Sequence, residues 1–595
     1  MTGRMPPGSS PADTGAAIGL LVDGTATRST DEPGWPAYAP EVLAHLGLHH
    51  DLVDDRSRRR PVVLLAAGPG DLPRDLTTVL AWVRQGTVLV ACGATEEIAG
   101  ALGIDYAPAP AAGRVRFIGA PEDLSSFGGV ALRAAPEHEV LATYADGSTA
   151  IVSTSVGEGR VELWGLDLWQ TIVRIQQGWP VDRPGTAAPD GSVPKRDTIL
   201  RADDGLALGY DRRTLPAGHE ALEQYEHVYP PSRPSPIFAR PEADLWRAEL
   251  LRALDRARAT GTLGYAWLDY WPDGAPGVAH MSHDSDRNVD SQAQAALDAF
   301  AEAGVAVTWC HCHPGGYTAE TVAAIAAAGH EQAFHYNAIE DTDHDRWGKE
   351  FAAYQLAWTR ELTDTTISTN KNHYTRWEGW TELYEWCDEL GILVDQSRGG
   401  SKQGTVGFPF GSAHLWRPLL PAPGTSRLGE VLQLPLHTQD LVFFAHESVR
   451  DPIIDGALAV HGVAHFLFHG SNMEDHPEVA RAVVRTADAA RERGLPWWTA
   501  SEIGAWERAR RSVRIATHPV GDQVALMLTT PTVVRGLTVL LPADHGAPPP
   551  RVTHPFSATA LPVASVARHG LRHWAVPCDL PAGTTTLHVE TRDPA

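Results

Sequence analysis

The stretch "HMSHDSDRN" (His280–Asn288) closes a short apolar run with two acids, Asp284 and Asp286, two histidines and an arginine. Charge at the end of a buried strand is costly unless it is paired, metal-bound or used. Later apolar runs end in the same way. The second carries Cys310, His311, Cys312 and His313, the third His335 with Asn337 after it, and the fourth Asn370, Lys371, Asn372 and His373. Asp395, Ser397 and Arg398 close the fifth, "LPLH" ends at His437 with Asp440 beyond it, and "FLFHG" ends at His469.

Imidazole nitrogens and carboxylate oxygens from separate elements are the donors that a hard or borderline divalent cation takes. Such a cation brings the pKa of a bound water toward neutrality. A second carboxylate can then act as general base, and a histidine on the far side can protonate the leaving group. The run Cys310–His313 invites a metal reading of its own. Neighbours on a strand face opposite ways, however, so only alternate residues can share a face.

The elements that must position these groups follow a regular rhythm. From about Gly264 to Arg511, strand, polar loop and helix alternate, as in "GVAHMSH", "SQAQAALDAFAEAG", "VAVTWCHC", "TAETVAAIAAAG" and "HEQAFHY". Ala293, Ala296, Leu297 and Phe300 share one helix face. This succession predicts a (β/α) barrel, in which functional groups lie at the C-terminal ends of the strands.

The flanks differ. Residues 1–16 read as a disordered leader. In residues 17–178, "IGLLVDG", "PVVLLAAG" and "TVLVACG" are apolar strands alternating with helices, which predicts an open α/β domain with a parallel sheet. Residues 179–263 are rich in proline and charge, as expected of a connector wrapped on the domains, and end in the helix "ADLWRAELLRALDRARA". Residues 512–595 hold short alternating strands between Pro/Gly turns, the pattern of a small β-sandwich, with no reactive cluster.

At 595 residues the chain exceeds a single core, and three or four domains are expected. A net charge of -24 argues against nucleic acid or an anionic membrane as the main partner. Five scattered cysteines imply no disulfide framework. The N-terminus lacks the apolar core of an export signal and no run approaches a membrane span, so a cytoplasmic location is expected.

"VAHMSHDSD" resembles the first motif of the polysaccharide deacetylase family. "AFAEAGVAVTWCHCHPGG", "VAAIAAAGHEQAFHYNA", "NKNHYTRW", "LPLHTQD" and "HFLFHG" resemble its later regions in order, over residues 264–511. The resemblance implies a distorted β/α barrel that removes acyl groups from sugars with zinc or another divalent ion. It makes Asp284 the general base, Asp286 and His335 metal ligands, His469 the general acid, and Lys371 the stand-in for an arginine that steadies the base. The family's second motif is a histidine pair, H-x-x-x-H, but Ile339 stands four residues after His335. His311, His313 and His344 are the candidates for the missing ligand. His373, Trp377, Asp395, Arg398 and His437 are candidates for substrate contact, with Trp377 and Trp380 able to stack on a sugar ring.

Residues 17–178 resemble the class I glutamine-amidotransferase-like, flavodoxin-like fold. Cys92 lacks the G-x-C-x-G elbow of such enzymes, so a non-catalytic unit is expected that packs on the barrel or mediates homo-oligomerisation. The expected function is hydrolysis of an amide C–N bond in an N-acylated sugar or glycoconjugate, the substrate a small molecule or oligosaccharide. Metal-independent amide hydrolysis on the same barrel is one competing reading. A non-catalytic carbohydrate-binding or scaffold protein with a degenerate site is the other.

Overall fold

The computed structural model describes residues 16–590 except 24, 28, 30–31, 55, 69–74, 94, 110–111, 183–208, 216–233, 235, 259–264, 340–345, 401–403, 423, 521–522, 556 and 558. Residues 1–15 of the expected leader and much of the connector lie outside the described residues, whereas Ala16 is buried and its N–H donates to Asp51 Oδ2 at 3.0 Å.

Six parallel strands form most of the central sheet: β1 (Val278–Asp284), β2 (Thr308–Cys312), β3 (Glu331–Tyr336), β4 (Thr369–Asn372), β5 (Val394–Asp395) and β6 (Val463–His469). They lie in the order β5-β4-β3-β2-β1-β6. A single segment, residues 432–439, meets both ends of this row. Its first part pairs with β5 and its last part with β6, both parallel. The backbone shows the changeover: Leu434 and Leu436 donate to the carbonyls of Asp395 and Arg398, whereas His437 donates to that of His465. Pro435 lies just before the switch and has no N–H to leave unpaired. The curled sheet is thereby closed.

Helices cover its outside. Asp290–Ala303 buries Ala293, Ala296 and Phe300 against Met281, Trp309 and Phe466 of the strands. Gly304 ends that helix in the left-handed conformation, at φ 62°.

The N-terminal sheet departs from the expectation of a wholly parallel one. Strands Ile18–Val22, His50–Leu52, Val62–Ala66, Val88–Cys92 and Gly159–Trp164 are parallel. Antiparallel strands within residues 105–156 then extend the sheet from Gly159–Trp164 outward. Helix Leu168–Gln177 follows, with Asp167 capping its first turn. At the C-terminus two four-stranded sheets share one apolar core that includes Ile515, Leu528, Val539, Val576 and Leu587. One of these strands, Trp267–Leu268, comes from before the barrel.

The three regions are fused by shared burial. Trp169, Trp246, Val394, Ile503 and Leu540 belong to one continuous apolar cluster. Buried charge also crosses the junction, with Glu41 and Glu507 both paired to Arg511.

Candidate functional site

Strand alternation decides which side chains enter the barrel. On β1, Ala279 and Met281 pack against the helices, and the His283 ring lies 4.1 Å from that of Trp309. His280, Ser282 and Asp284 point the other way. His280 Nε2 is 2.8 Å from Gln396 Oε1, Ser282 Oγ is 2.8 Å from His465 Nε2, and Asp284 Oδ1 is 3.2 Å from Lys371 Nζ. The interior of the barrel is therefore a stack of polar groups, and Asp284 is its uppermost layer on this strand.

Above it three donors converge. Asp286 Oδ1 is 3.5 Å from His373 Nε2 and 3.8 Å from His335 Nε2, and all three groups lie within 4.8 Å of one another. Each imidazole is oriented from behind. His335 Nδ1 donates to the Lys371 carbonyl at 2.9 Å, and His373 Nδ1 donates to Asn337 Oδ1 at 3.1 Å. Both Nε2 atoms consequently present lone pairs to the cluster, the arrangement that fixes histidine ligands at metal sites. Asp286 Oδ1 and His335 Nε2 are buried and have no hydrogen-bond partner among the described residues. Burial drives the His373 pKa down to about 4, which leaves that ring neutral, as a ligand must be. Burial opposes ionisation of Asp286, but His469, His335 and His373 outweigh it and hold the carboxyl well below its usual range. An oxygen and two nitrogens with second-side hydrogen bonds fit a divalent cation.

Asp286 reaches this position from a left-handed backbone, φ 49°, and Asn288 is also left-handed at φ 50°. Non-glycine residues held there cost about 1–3 kcal/mol each and persist only where the surroundings over-determine them. Here Asn288 Nδ2 donates to the Cys312 carbonyl, and Ser285 Oγ accepts from the Cys312 N–H.

Beside the donors stand a base and an acid. Asp284 Oδ2 is 3.6 Å from His335 Nε2 and 3.9 Å from His469 Nε2. Burial raises its pKa, but His335, Lys371 and His469 prevail and lower it, so it is ionised. His469 Nδ1 is hydrogen-bonded to Asp440 Oδ2, and the His469 backbone N–H donates to Asp440 Oδ1 at 2.8 Å. Burial disfavours the imidazolium, yet Asp440, Asp286 and Asp284 raise its pKa to about 10. Asp284, Asp286, His373 and His469 line a cleft of about 130 Å³ together with Tyr374 and Phe444.

Compared by sequence, the chain matches no family model and no curated relative. Among solved structures it is similar to an exo-β-1,4-mannosidase from Opitutaceae bacterium strain TAV5, at 14% identity and TM-score 0.22, over 26% of this chain and 32% of that one. It is similar to a candidate polysaccharide deacetylase of O-antigen biosynthesis from Bordetella bronchiseptica, at 18% identity and TM-score 0.25, over 38% of this chain and 94% of that one. A third is the CE4 domain of a multidomain xylanase from the hindgut metagenome of Trinervitermes trinervoides, at 12% identity and TM-score 0.26, over 39% and 92%.

The second nitrogen of the cluster comes from a residue expected to have another task. His373, expected to touch substrate, completes the cluster. His311 lies on the outer face of β2, where its Nε2 meets Gln332 Oε1 at 2.6 Å. The His313 ring packs against Tyr354 and Trp358, outside the cluster. His344 lies outside the described residues. Four further candidates for substrate contact sit elsewhere. Asp395 faces outward from β5 and accepts from Asn370 Nδ2 and Ser397 Oγ, each at 2.7 Å. Arg398 donates to the Gln177 carbonyl and lies 4.4 Å from the Trp377 ring. Trp377 is itself core, packed on Tyr384. His437 is bonded to Ser412 and His465 backbone atoms. Trp380, also expected to stack on sugar, donates instead to the Gln177 carbonyl at 3.0 Å.

Asp440, Ser282, His465 and Asn337 were not assigned roles from the sequence. Asp440 follows "LPLHTQ" closely enough to have been legible as a strand-end acid. Ser282 and His465 sit within strands, where nothing in the sequence separates them from packing residues.

Proposed function

We propose that the chain is a divalent-metal-dependent hydrolase of amide C–N bonds, which removes the acyl group from an N-acylated sugar or glycoconjugate. The observation that carries this reading is the convergence of Asp286 Oδ1, His335 Nε2 and His373 Nε2 beside an ionised Asp284 and a protonated His469. The sugar rests on the ordered motif resemblance of residues 264–511, the region to which we assign the activity.

Asp286, His335 and His373 would hold the cation, which when bound supplies Lewis acidity and a more acidic water. The chain's own groups handle the protons. Asp284 has Oδ1 occupied by Lys371 and Oδ2 facing the histidines, so Oδ2 takes the proton of the attacking water. Lys371 keeps the carboxylate ionised until that moment. His469 has Nδ1 held by Asp440 and delivers its Nε2 proton to the departing amine. The 3.9 Å separation of His469 Nε2 from Asp284 Oδ2 is short enough for one water to return the proton after product leaves.

The test is release of acetate from a panel of N-acetylated mono- and oligosaccharides by metal-loaded protein. A purified protein that binds no divalent ion, and whose Asp284→Asn variant hydrolyses the panel as wild type does, overturns the proposal.

A further inference from the structure

The loop that follows β4 carries the donor His373 and is strained. Tyr374 and Thr375 are consecutive non-glycine residues with φ 57° and 51°, and Thr375 is β-branched. Such a pair persists only if its surroundings dictate it. Part of the constraint is local. Asn372 Nδ2 donates to the Arg376 carbonyl at 2.9 Å, and Arg376 Nη1 donates to the Ala338 carbonyl at 2.8 Å.

A distant part of the chain bonds the far end of this loop. Helix Leu168–Gln177 is anchored to the N-terminal sheet, where Trp169 Nε1 donates to the Cys92 carbonyl. Its last carbonyl, on Gln177, accepts from Trp380 Nε1 and from Arg398. Four residues on, Val181 and Gly379 exchange both backbone hydrogen bonds, at 2.8 and 3.0 Å. The Val181 side chain is buried with Phe334, Tyr336 and Trp377, beside the strand that bears His335. Trp35 of the N-terminal region packs edge-on to Trp380, and Arg174 lies over both rings at 4.8 and 5.4 Å.

We propose that Gln177–Val181 is a brace for the His373 loop, so that this extension of the N-terminal region sets how firmly the site holds its third donor. The inference rests on the reading of His373 as a metal ligand. It gives the N-terminal region a positioning task at the site.

Val181→Pro removes the N–H that bonds Gly379, and Trp380→Phe removes the bond to Gln177 while keeping an aromatic ring. Val181→Ala keeps the backbone bonds and serves as control. Two readouts on the full chain are needed: Zn²⁺ affinity by chelator competition, and hydrogen exchange of the peptide spanning 373–380 in metal-free protein. Val181→Pro is expected to speed that exchange and to weaken Zn²⁺ binding about tenfold or more, the scale of lost second-side support. Val181→Ala is expected to stay near wild type. If Val181→Pro fails to fold, Trp380→Phe decides, with the same signs. Wild-type exchange across 373–380 overturns the brace, and so does faster exchange with unchanged Zn²⁺ affinity. A wild-type protein that binds no Zn²⁺ overturns the metal reading, whereas the exchange comparison still judges the brace.

Discussion

Lys371 Nζ stands 3.2 Å from Asp284 Oδ1 and 3.3 Å from Ser282 Oγ, and all three residues are buried. The hydrogen bonds beneath have a fixed direction. His465 Nδ1 donates to the Pro435 carbonyl at 2.9 Å, so its Nε2 must accept the Ser282 hydroxyl proton. Ser282 Oγ is then left to accept from Lys371. The lysine is thus steered onto Asp284 from below. Ser282→Ala is expected to lower kcat about tenfold with little change in KM, and Ser282→Thr to recover most of it. Equal kcat in wild type and Ser282→Ala would refute this role.

Asp284→Asn should lower kcat by about 10²–10⁴-fold while the bound metal stays at one equivalent, because Asp284 is not among the three converging donors. Asp286→Asn should instead lose the metal. Metal analysis beside steady-state kinetics on the two variants separates the roles.

Chelation should abolish turnover, and added Zn²⁺ should restore it. At a free Zn²⁺ concentration of 100 Kd the folded chain gains about 2.7 kcal/mol, visible as a higher unfolding midpoint. His373→Ala should weaken binding by at least about 100-fold, beyond the scale of second-side losses. His311→Ala and His313→Ala should leave the metal content unchanged.

Acid stability should report the junction of the regions. Burial raises the Glu507 pKa, but Arg510 and Arg511 overcome this and lower it to about 2. A carboxyl depressed on folding stabilises fully above its unfolded pKa, about 4.3, and loses that contribution as pH falls toward 2. The amount is on the order of 3 kcal/mol. Glu507→Gln should remove it at pH 7 and flatten the acid limb in urea unfolding between pH 5 and 2. An acid limb of unchanged steepness would count against the pair.

The barrel strands were legible because apolar runs ending in polar residues repeat with a helix between them. That rule lists Asp284, Asp286, His335 and His469, which the structure brings together as the last inward residues of β1 and β6 or residues close to the strand ends. The rule lists His373 as well, but not its place in the cluster, because that depends on a cross-strand register. His335 pairs with Lys371, which carries the residue two positions on over the site. No spacing within one segment reveals that. Asp395 and His311 misled because strand-end position says nothing of which face a residue takes. Trp380 misled because its partner, the Gln177 carbonyl, lies 203 residues upstream, and Trp377 because its ring packs in the core on Tyr384. The antiparallel half of the N-terminal sheet escaped because its strands include exposed ones such as Asp105–Pro108, without a regular apolar period.

Residues 432–439 bond β5 with one part and β6 with another, which has a kinetic corollary. Neither partner alone can seat the segment. β6 in turn must find β1 across a separation such as the 185 residues between His283 and Phe468. Contacts that distant carry a large loop-closure cost and form slowly. The pairing of β6 with β1 is therefore expected late in folding, and His469, the last residue of β6, comes to stand beside Asp284 only when that pairing forms.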